Sequence, residues 1–365
     1  MKIALLGDIA LYGRYSVEGN PAVRDYFAAA EAHLAGFDHV VGNLETPFAQ
    51  GMRPRGSKSA YIMARDENVE TLRHLHVSVV NLANNHVFDY GRPGYRHTLE
   101  VLRRAGIPYF GVEGIQHTLE SADARVALHG YCSHNTNPLG MSRRGINTLH
   151  LPTVERAMRE NHARGFLNVV SIHSGQEHVN RPSRDDIRMA RQLAQVCPYV
   201  YYGHHPHVLQ GVEEVGGSVI AYSLGNFCFD DVYTSKSDKP LVEQTENNRG
   251  GLILELTVRG DRVVEHRATP IFLGRDAMVV GAEAVGDSLR RHSAELAEEE
   301  PGYTARRNAL IAEFLAGRKQ MRDLQWYLKR LNPTSAGIIA RARYNQRQYR
   351  RNVRRHLRGD VGEAR

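Results

Sequence analysis

The strongest constraint on this chain is a repeated local pattern: six short apolar runs, each followed at once by a small polar cluster. The runs are Lys2–Leu6, His39–Val41, Val77–Leu82, Leu167–Ile172, Tyr199–Tyr202 and Val219–Tyr222. The clusters are Gly7-Asp8, Gly42-Asn43-Leu44-Glu45, Ala83-Asn84-Asn85-His86, His173-Ser174-Gly175, Gly203-His204-His205-Pro206-His207 and Ser223-Leu224-Gly225-Asn226. Runs this short, rich in Val, Ile and Tyr and stopped by Gly or Asn, read as buried parallel strands. Segments of helical period lie between them. Residues 95–105 place Leu99, Leu102 and Ala105 on one face before Gly106, 153–164 follow Pro152, and 184–196 follow Ser183 as N-cap. Strand and helix in alternation predict a mainly parallel α/β sheet with helices outside. Such sheets collect ligands at the carboxyl ends of their strands, so the clusters fall on one rim.

Residue types on that rim narrow the chemistry. A dinuclear hydrolytic centre needs mixed oxygen and nitrogen ligands, one anionic group shared by two ions, and a neutral proton donor for the leaving group. Asp8 and Glu45 supply carboxylates, His173, His205 and His207 imidazoles, and Asn85 an amide oxygen. His86 is placed to donate a proton or to orient a substrate oxygen. Any one of these alone reads as an ordinary turn, cap or core residue; their common placement at strand ends is what points to a metal.

These motifs resemble the capsule-synthesis CapA family, associated with poly-γ-glutamate capsules, within the calcineurin-like metallophosphoesterase superfamily. Gly-Asn-Leu-Glu-Thr-Pro at 42–47, Asn-Leu-Ala-Asn-Asn-His at 81–86 with Asp89 and Gly91, His-His-Pro-His at 204–207 and Ser-Leu-Gly-Asn-Phe at 223–227 carry the likeness, which covers roughly residues 1–275. The resemblance implies a layered αββα sandwich. It implies two divalent ions, of Mn, Fe, Zn or Mg without distinction. Asp8 and His207 would bind the first, Asn85, His173 and His205 the second, and Glu45 would bridge them. His86 would be the catalytic acid or transition-state stabiliser, and Asn43, Asn84, Asp89, His204 and Asn226 would support ligands or substrate.

Two departures stand out. The superfamily's first motif is Asp-x-His, whereas this chain has Asp8-Ile9-Ala10, so the first ion lacks an imidazole. Ser174 follows His173 where CapA-like proteins more often carry Trp. Two functions are therefore expected to compete: a metal-dependent phosphoesterase-type hydrolase in capsule or extracellular polymer synthesis, and a non-catalytic metal-binding scaffold of a membrane-associated synthesis or export complex. An anionic small molecule or polymer is the implied substrate, with Arg14, Arg53, Arg55, Lys58 and an unpatterned surface loop at 230–249 as candidate contacts.

Charge is informative once it is located. The chain carries a net charge of +7, but residues 301–365 hold 16 lysines and arginines against 4 acidic residues, leaving the first 300 residues net negative. The main domain is expected to end near residue 285, after a hairpin of Gly251–Val258 and Arg262–Pro270. Residues 286–365 then form a helical, Arg-rich extension with a break at Pro333. Residues 306–331 have enough apolar positions to pack back on the domain or on a second copy. Over 338–358 the arginines flank a thin stripe of Ile338, Ala342, Tyr349, Val353 and Leu357, a pattern able to contact an anionic membrane surface or a synthase. No groove-reading module favours nucleic acid. Cys132, Cys197 and Cys228 are widely spaced and suggest neither disulfides nor a cysteine zinc site. With no leader-like start, a cytoplasmic protein is expected, with peripheral contact at the inner membrane face through the basic helix.

Overall fold

Ile3 and Leu5 of β1 (Lys2–Ile9) face one apolar cluster, while Ala4 and Leu6 face another. That split follows from the two-residue period of a strand and recurs across the molecule, defining its layers. In the computed structural model, the structure describes residues 1–54, 60–133, 145–234, 237–320 and 333–358. Arg55, Lys58 and the proposed helical residues 321–331 lie outside the described residues.

In the first sheet, β2 (His39–Leu44), β3 (Val77–Asn81) and β4 (Tyr109–Phe110) extend from β1 in parallel. On its other side β14 (Gly250–Arg259), β15 (Arg262–Leu273) and β16 (Met278–Val280) continue antiparallel. The short β11 (Asn226–Cys228) pairs in parallel with the carboxyl end of β1. The second sheet has the order β5 (His117–Glu120), β6 (Arg125–Cys132), β7 (Leu167–His173), β8 (Tyr199–His204), β10 (Ser218–Ala221) and β9 (Val212–Val215), with β6, β7, β8 and β10 parallel.

Ile3, Leu5, Val41 and Val79 of the first sheet meet Val126, Leu128, Val169 and Val200 of the second, so the sheets stack face to face. The opposite face of the first sheet is covered by α1 (Val23–Tyr26), α2 (Ala28–Leu34), α3 (Val69–His74) and α4 (Gly91–Ala105). The second sheet is covered by α5 (Leu151–Ala163) and α6 (Arg184–Leu193). This is the αββα sandwich that the resemblance implies. Each Val, Leu or Ile taken fully out of water contributes about 1.5–3 kcal/mol of transfer free energy. Cores on both faces therefore hold the strand ends rigidly in place. All six expected strands form, and α6 begins at Ser183, whose hydroxyl accepts from the Asp186 amide in a capping box.

The segment 230–249 differs from the unpatterned loop expected. It contains a hairpin of β12 (Val232–Thr234) and β13 (Ser237–Val242) and a short α7 (Glu246–Arg249). Val232 and Phe229 pack with Ala10 and Ile62 in a small cluster of their own, enough apolar contact to anchor an otherwise polar stretch.

Helices after residue 282 share cores with the sheets. Val285 and Leu289 of α8 (Glu283–Glu295) join the core between the sheets. Tyr303 of α9 (Gly302–Gln320) and Tyr349 and Val353 of α10 (Pro333–Leu357) join the cluster outside the second sheet. Tyr349, Val353 and Leu357 of the α10 stripe are thus packed against their own chain, while Arg343, Arg347, Arg350, Arg351, Arg354 and Arg355 remain exposed. Arg181 ties the extension down through Glu295 at 3.0 Å and Glu298 at 2.8 Å, and Arg184 through Glu300 at 2.8 Å. Among the described residues, no helix is long and apolar enough to cross a membrane.

One glycine shows how closely the rim is packed. A Cβ on Gly203, just before the histidine turn, would lie 1.8 Å from the Tyr222 carbonyl oxygen. Backbone cannot rotate away as a side chain can, so Gly203→Ala is expected to lower unfolding free energy by about 3 kcal/mol or more. Denaturant melts check this, and an unchanged midpoint would mean that the rim yields more easily than its packing indicates.

Candidate metal centre

Parallel register brings the polar clusters level. Asp8 pairs with Asn43 and with Asn226, Asn43 with Asn81, and Cys132, His173 and His204 align across the second sheet. The strand ends of both sheets therefore open on one site, as the carboxyl-end rule requires.

Asp8 is fully buried and anchors one side. Its Oδ1 accepts from Asn43 Nδ2 at 2.7 Å and its Oδ2 accepts from the His205 amide at 3.1 Å. His204 Nδ1 lies 3.2 Å from Oδ1, and His207 Nδ1 lies 3.3 Å from Oδ2. Burial pushes the Asp8 carboxyl upward, but the neighbouring His204 ring, then His207 and His173, outweigh it and hold the group well below the carboxylate range.

Glu45, also fully buried, occupies the middle. Its Oε1 lies 3.8 Å from His207 Nε2, 3.8 Å from His173 Nε2 and 3.9 Å from His86 Nε2. Beyond it, His173 Nε2 and Asn85 Oδ1 are 2.9 Å apart, and the His173 and His205 rings are 5.0 Å apart. His205 Nδ1 is buried and has no hydrogen-bond partner among the described residues. Burial, reinforced by His205, holds His173 well below its ordinary value; burial takes His205 down to about 4, with Glu177 opposing. Both rings are therefore neutral near pH 7, with lone pairs available to a cation.

His205 and His207 hold φ values of +93° and +56°, a region unfavourable for residues with a Cβ. The turn accepts this conformation and brings two imidazoles, two positions apart in the chain, to 6.1 Å between ring centroids. Asn226 fixes one of them. Its Nδ2 donates to the Asn248 carbonyl, so its Oδ1 accepts from His207 Nδ1 at 2.9 Å and leaves Nε2 as the lone-pair nitrogen.

The donors fit a divalent metal. Asp8, Glu45 and His207 each offer one ligand atom, all within 4.8 Å of one another. His173 also approaches Glu45, and Asn85 and His205 lie next to His173. Asp89 stands behind His86, with Oδ2 2.7 Å from Nδ1. Asn84 stands beneath the ligands: its Oδ1 accepts from the His86 and Val87 amides and its Nδ2 donates to Leu44 O, so it forms the turn that presents Asn85 and His86. Arg14 is paired with Asp230 at 3.0 Å, which offsets its charge toward an anionic substrate.

Three contributors were not foreseen. Asn81 donates to Asn43 Oδ1 at 2.9 Å and to Ser171 Oγ at 3.0 Å, linking the two sheets beneath Asp8; it opens the 81–86 motif, which was its signal. Phe229 packs on the His207 ring at 4.4 Å, and with Ala10 in the same cluster it fills the neighbourhood where an Asp-x-His motif would place an imidazole. Tyr349 interacts with Ser174, so the extension closes over the place where CapA-like chains more often carry Trp; burial holds its phenol well above the ordinary value.

Residues 2–231 match the family described as bacterial capsule synthesis protein PGA_cap. The chain belongs to this family. It is 30% identical over 277 residues to the Capsule biosynthesis protein CapA of Bacillus anthracis, covering 70% of this chain and 66% of that protein, just under two thirds of its length. It is 29% identical over 297 residues to the PGA biosynthesis protein CapA of Bacillus subtilis (strain 168), covering 76% of this chain and 75% of that one. Among solved structures, the 5'-nucleotidase from Candida albicans SC5314 is similar at 11% identity and a TM-score of 0.41, over 88% of this chain and 57% of that one.

Proposed function

We propose that this PGA_cap protein is a metal-dependent hydrolase of the phosphoesterase type, acting in capsule or extracellular polymer biosynthesis. The observation that carries the reading is the position of Glu45, a buried carboxylate whose Oε1 lies within 3.9 Å of the Nε2 atoms of His207, His173 and His86. Asp8, Glu45 and His207 would hold one divalent ion, and Glu45, Asn85, His173 and His205 a second. Bound ions would supply Lewis acidity and lower the pKa of water toward neutrality.

The chain's own groups do the rest. Asp89 accepts the proton of His86 Nδ1, fixing the ring so that Nε2 faces Glu45 and the reacting centre. There the doubly protonated His86 ring, its positive charge held by Asp89, gives its Nε2 proton to the departing oxygen and is left as the neutral Nδ1–H form. Asn226 keeps His207 in the Nδ1–H form, and Asn43 keeps Asp8 in position.

Metal analysis of the purified chain, followed by hydrolysis of an aryl phosphate with Mn²⁺, tests this. Two equivalents of retained metal and turnover abolished by a chelator are expected. Bound metal with no turnover of phosphoesters, carboxyl esters or amides would reject the hydrolase and leave the scaffold reading.

A further inference from the structure

Residues 333–358 hold eight arginines and no acidic residue. α10 turns most of that charge one way. At about 100° per residue, Arg343, Arg347, Arg350, Arg351, Arg354, Arg355 and, just past the helix end, Arg358 fall within an arc of about 140°. All seven are exposed. Tyr349 and Val353 lie on the other side, buried in the cluster outside the second sheet. The arginine row therefore looks away from the domain, and it runs for about 22 Å along the helix axis. Among the described residues, Arg354 alone in this row meets a carboxylate, Asp185 at 3.3 Å. Tyr344 falls within the same arc with 63% of its surface exposed, and Ile339 at its edge with 47%.

The shape of this surface selects its partner. A helix seated by its apolar stripe presents a convex, straight row of charge. Flexible single-stranded polyanions are held in grooves lined with stacking rings, and duplex DNA by an element that enters its groove. A flat anionic bilayer instead meets a straight row along its whole length, and a tyrosine beside the arginines sits well at headgroup level. The first 300 residues are net negative, so such a surface repels the rest of the chain and accepts it by this face. Because Tyr349 and Val353 are already committed to the chain's own core, the helix has no apolar stripe to sink among acyl chains.

We propose that the arginine face of α10 docks this chain on an anionic phospholipid bilayer, held by charge at the headgroups and not by insertion of an apolar face.

Flotation of the full-length chain with lipid vesicles tests this. The wild type is expected to float with vesicles of equal parts phosphatidylcholine and phosphatidylglycerol at low salt, and not with phosphatidylcholine alone. Molar salt, where the screening length falls to about 3 Å, is expected to release it. Each basic side chain near such a surface strengthens binding by roughly 5-fold, so Arg343→Gln, Arg347→Gln and Arg351→Gln together are expected to weaken it by about 100-fold. Melting temperature and metal content are expected to stay unchanged, since the three side chains are exposed and outside the metal centre. Lysine at the same three positions is expected to keep binding within about 3-fold of the wild type, and Tyr344→Ala to lose far less than the glutamine variant. No flotation with the anionic vesicles, equal flotation with phosphatidylcholine, or unchanged binding in the glutamine variant would each overturn the proposal. So would a lysine variant as weak as the glutamine one, or a loss in Tyr344→Ala as large. Tighter binding to polyglutamate or duplex DNA than to vesicles at equal charge concentration would give the face to a soluble polyanion and reject the bilayer.

Discussion

Purified Glu45→Ala protein is expected to retain less than one metal ion per chain, with hydrolysis lowered by about 10³-fold or more. The reason lies in the centre of the site. Glu45 Oε1 is within 3.9 Å of the His86, His173 and His207 rings, so the substitution removes the one anion that both proposed positions would share. The second position then keeps only neutral donors from Asn85, His173 and His205, which compensate a buried divalent charge poorly. Stability separates this from unfolding. In metal-free protein, replacing a fully buried carboxylate is expected to leave the melting temperature nearly unchanged or raise it, because the buried charge carries a desolvation penalty. The rise in melting temperature that metal gives the wild type is expected to vanish in the variant. Asp8 is a less clean target, since it also receives Asn43 Nδ2 and the His205 amide and thereby joins two turns. Elemental analysis showing two ions in Glu45→Ala would remove Glu45 from the shared position.

How far the site was legible follows from where its information resides. Asp8, Glu45, Asn85, His173, His205 and His207 are each fixed by a strand end and its following turn, and both are local signals. Their convergence follows from parallel pairing, which the alternation of strand and helix already implies. β6 was missed although it is the neighbour of β7, because His129 and Gly130 interrupt its apolar run. His129 is nevertheless fully buried, and burial takes its imidazole down to about 4, so a neutral ring sits in the core at little charge penalty. Asn248 had no signal, since its hydrogen bonds with Asn226 and with the His207 carbonyl cross 22 and 41 positions. The stripe on α10 was legible as amphipathic. What covers it was not, because a helix pattern states that a face is apolar and tertiary structure alone decides whether sheet, membrane or partner meets it.

His86→Ala is expected to give the opposite result to Glu45→Ala: metal retained, and turnover of an alkyl ester lost by about 10²–10⁴-fold in kcat. His86 Nε2 lies 3.9 Å from Glu45 Oε1, but its other nitrogen is engaged with Asp89 at 2.7 Å, an arrangement suited to proton delivery. The leaving group provides the decisive comparison. An aryl phosphate with a weakly basic leaving group departs with little need of a proton, whereas an alkyl ester needs one, so the loss is expected to be small for the first and large for the second. Asp89→Asn is expected to lose about 10-fold on the alkyl ester. It keeps the side-chain volume, but its amide oxygen stabilises a charged His86 ring less than a carboxylate does. Asp89 Oδ2 also accepts from the Ile62 amide at 3.4 Å, so its melting temperature must accompany the kinetics. Equal losses on both esters in His86→Ala would show that His86 stabilises charge on the transferring group and that the proton reaches the leaving oxygen by another route.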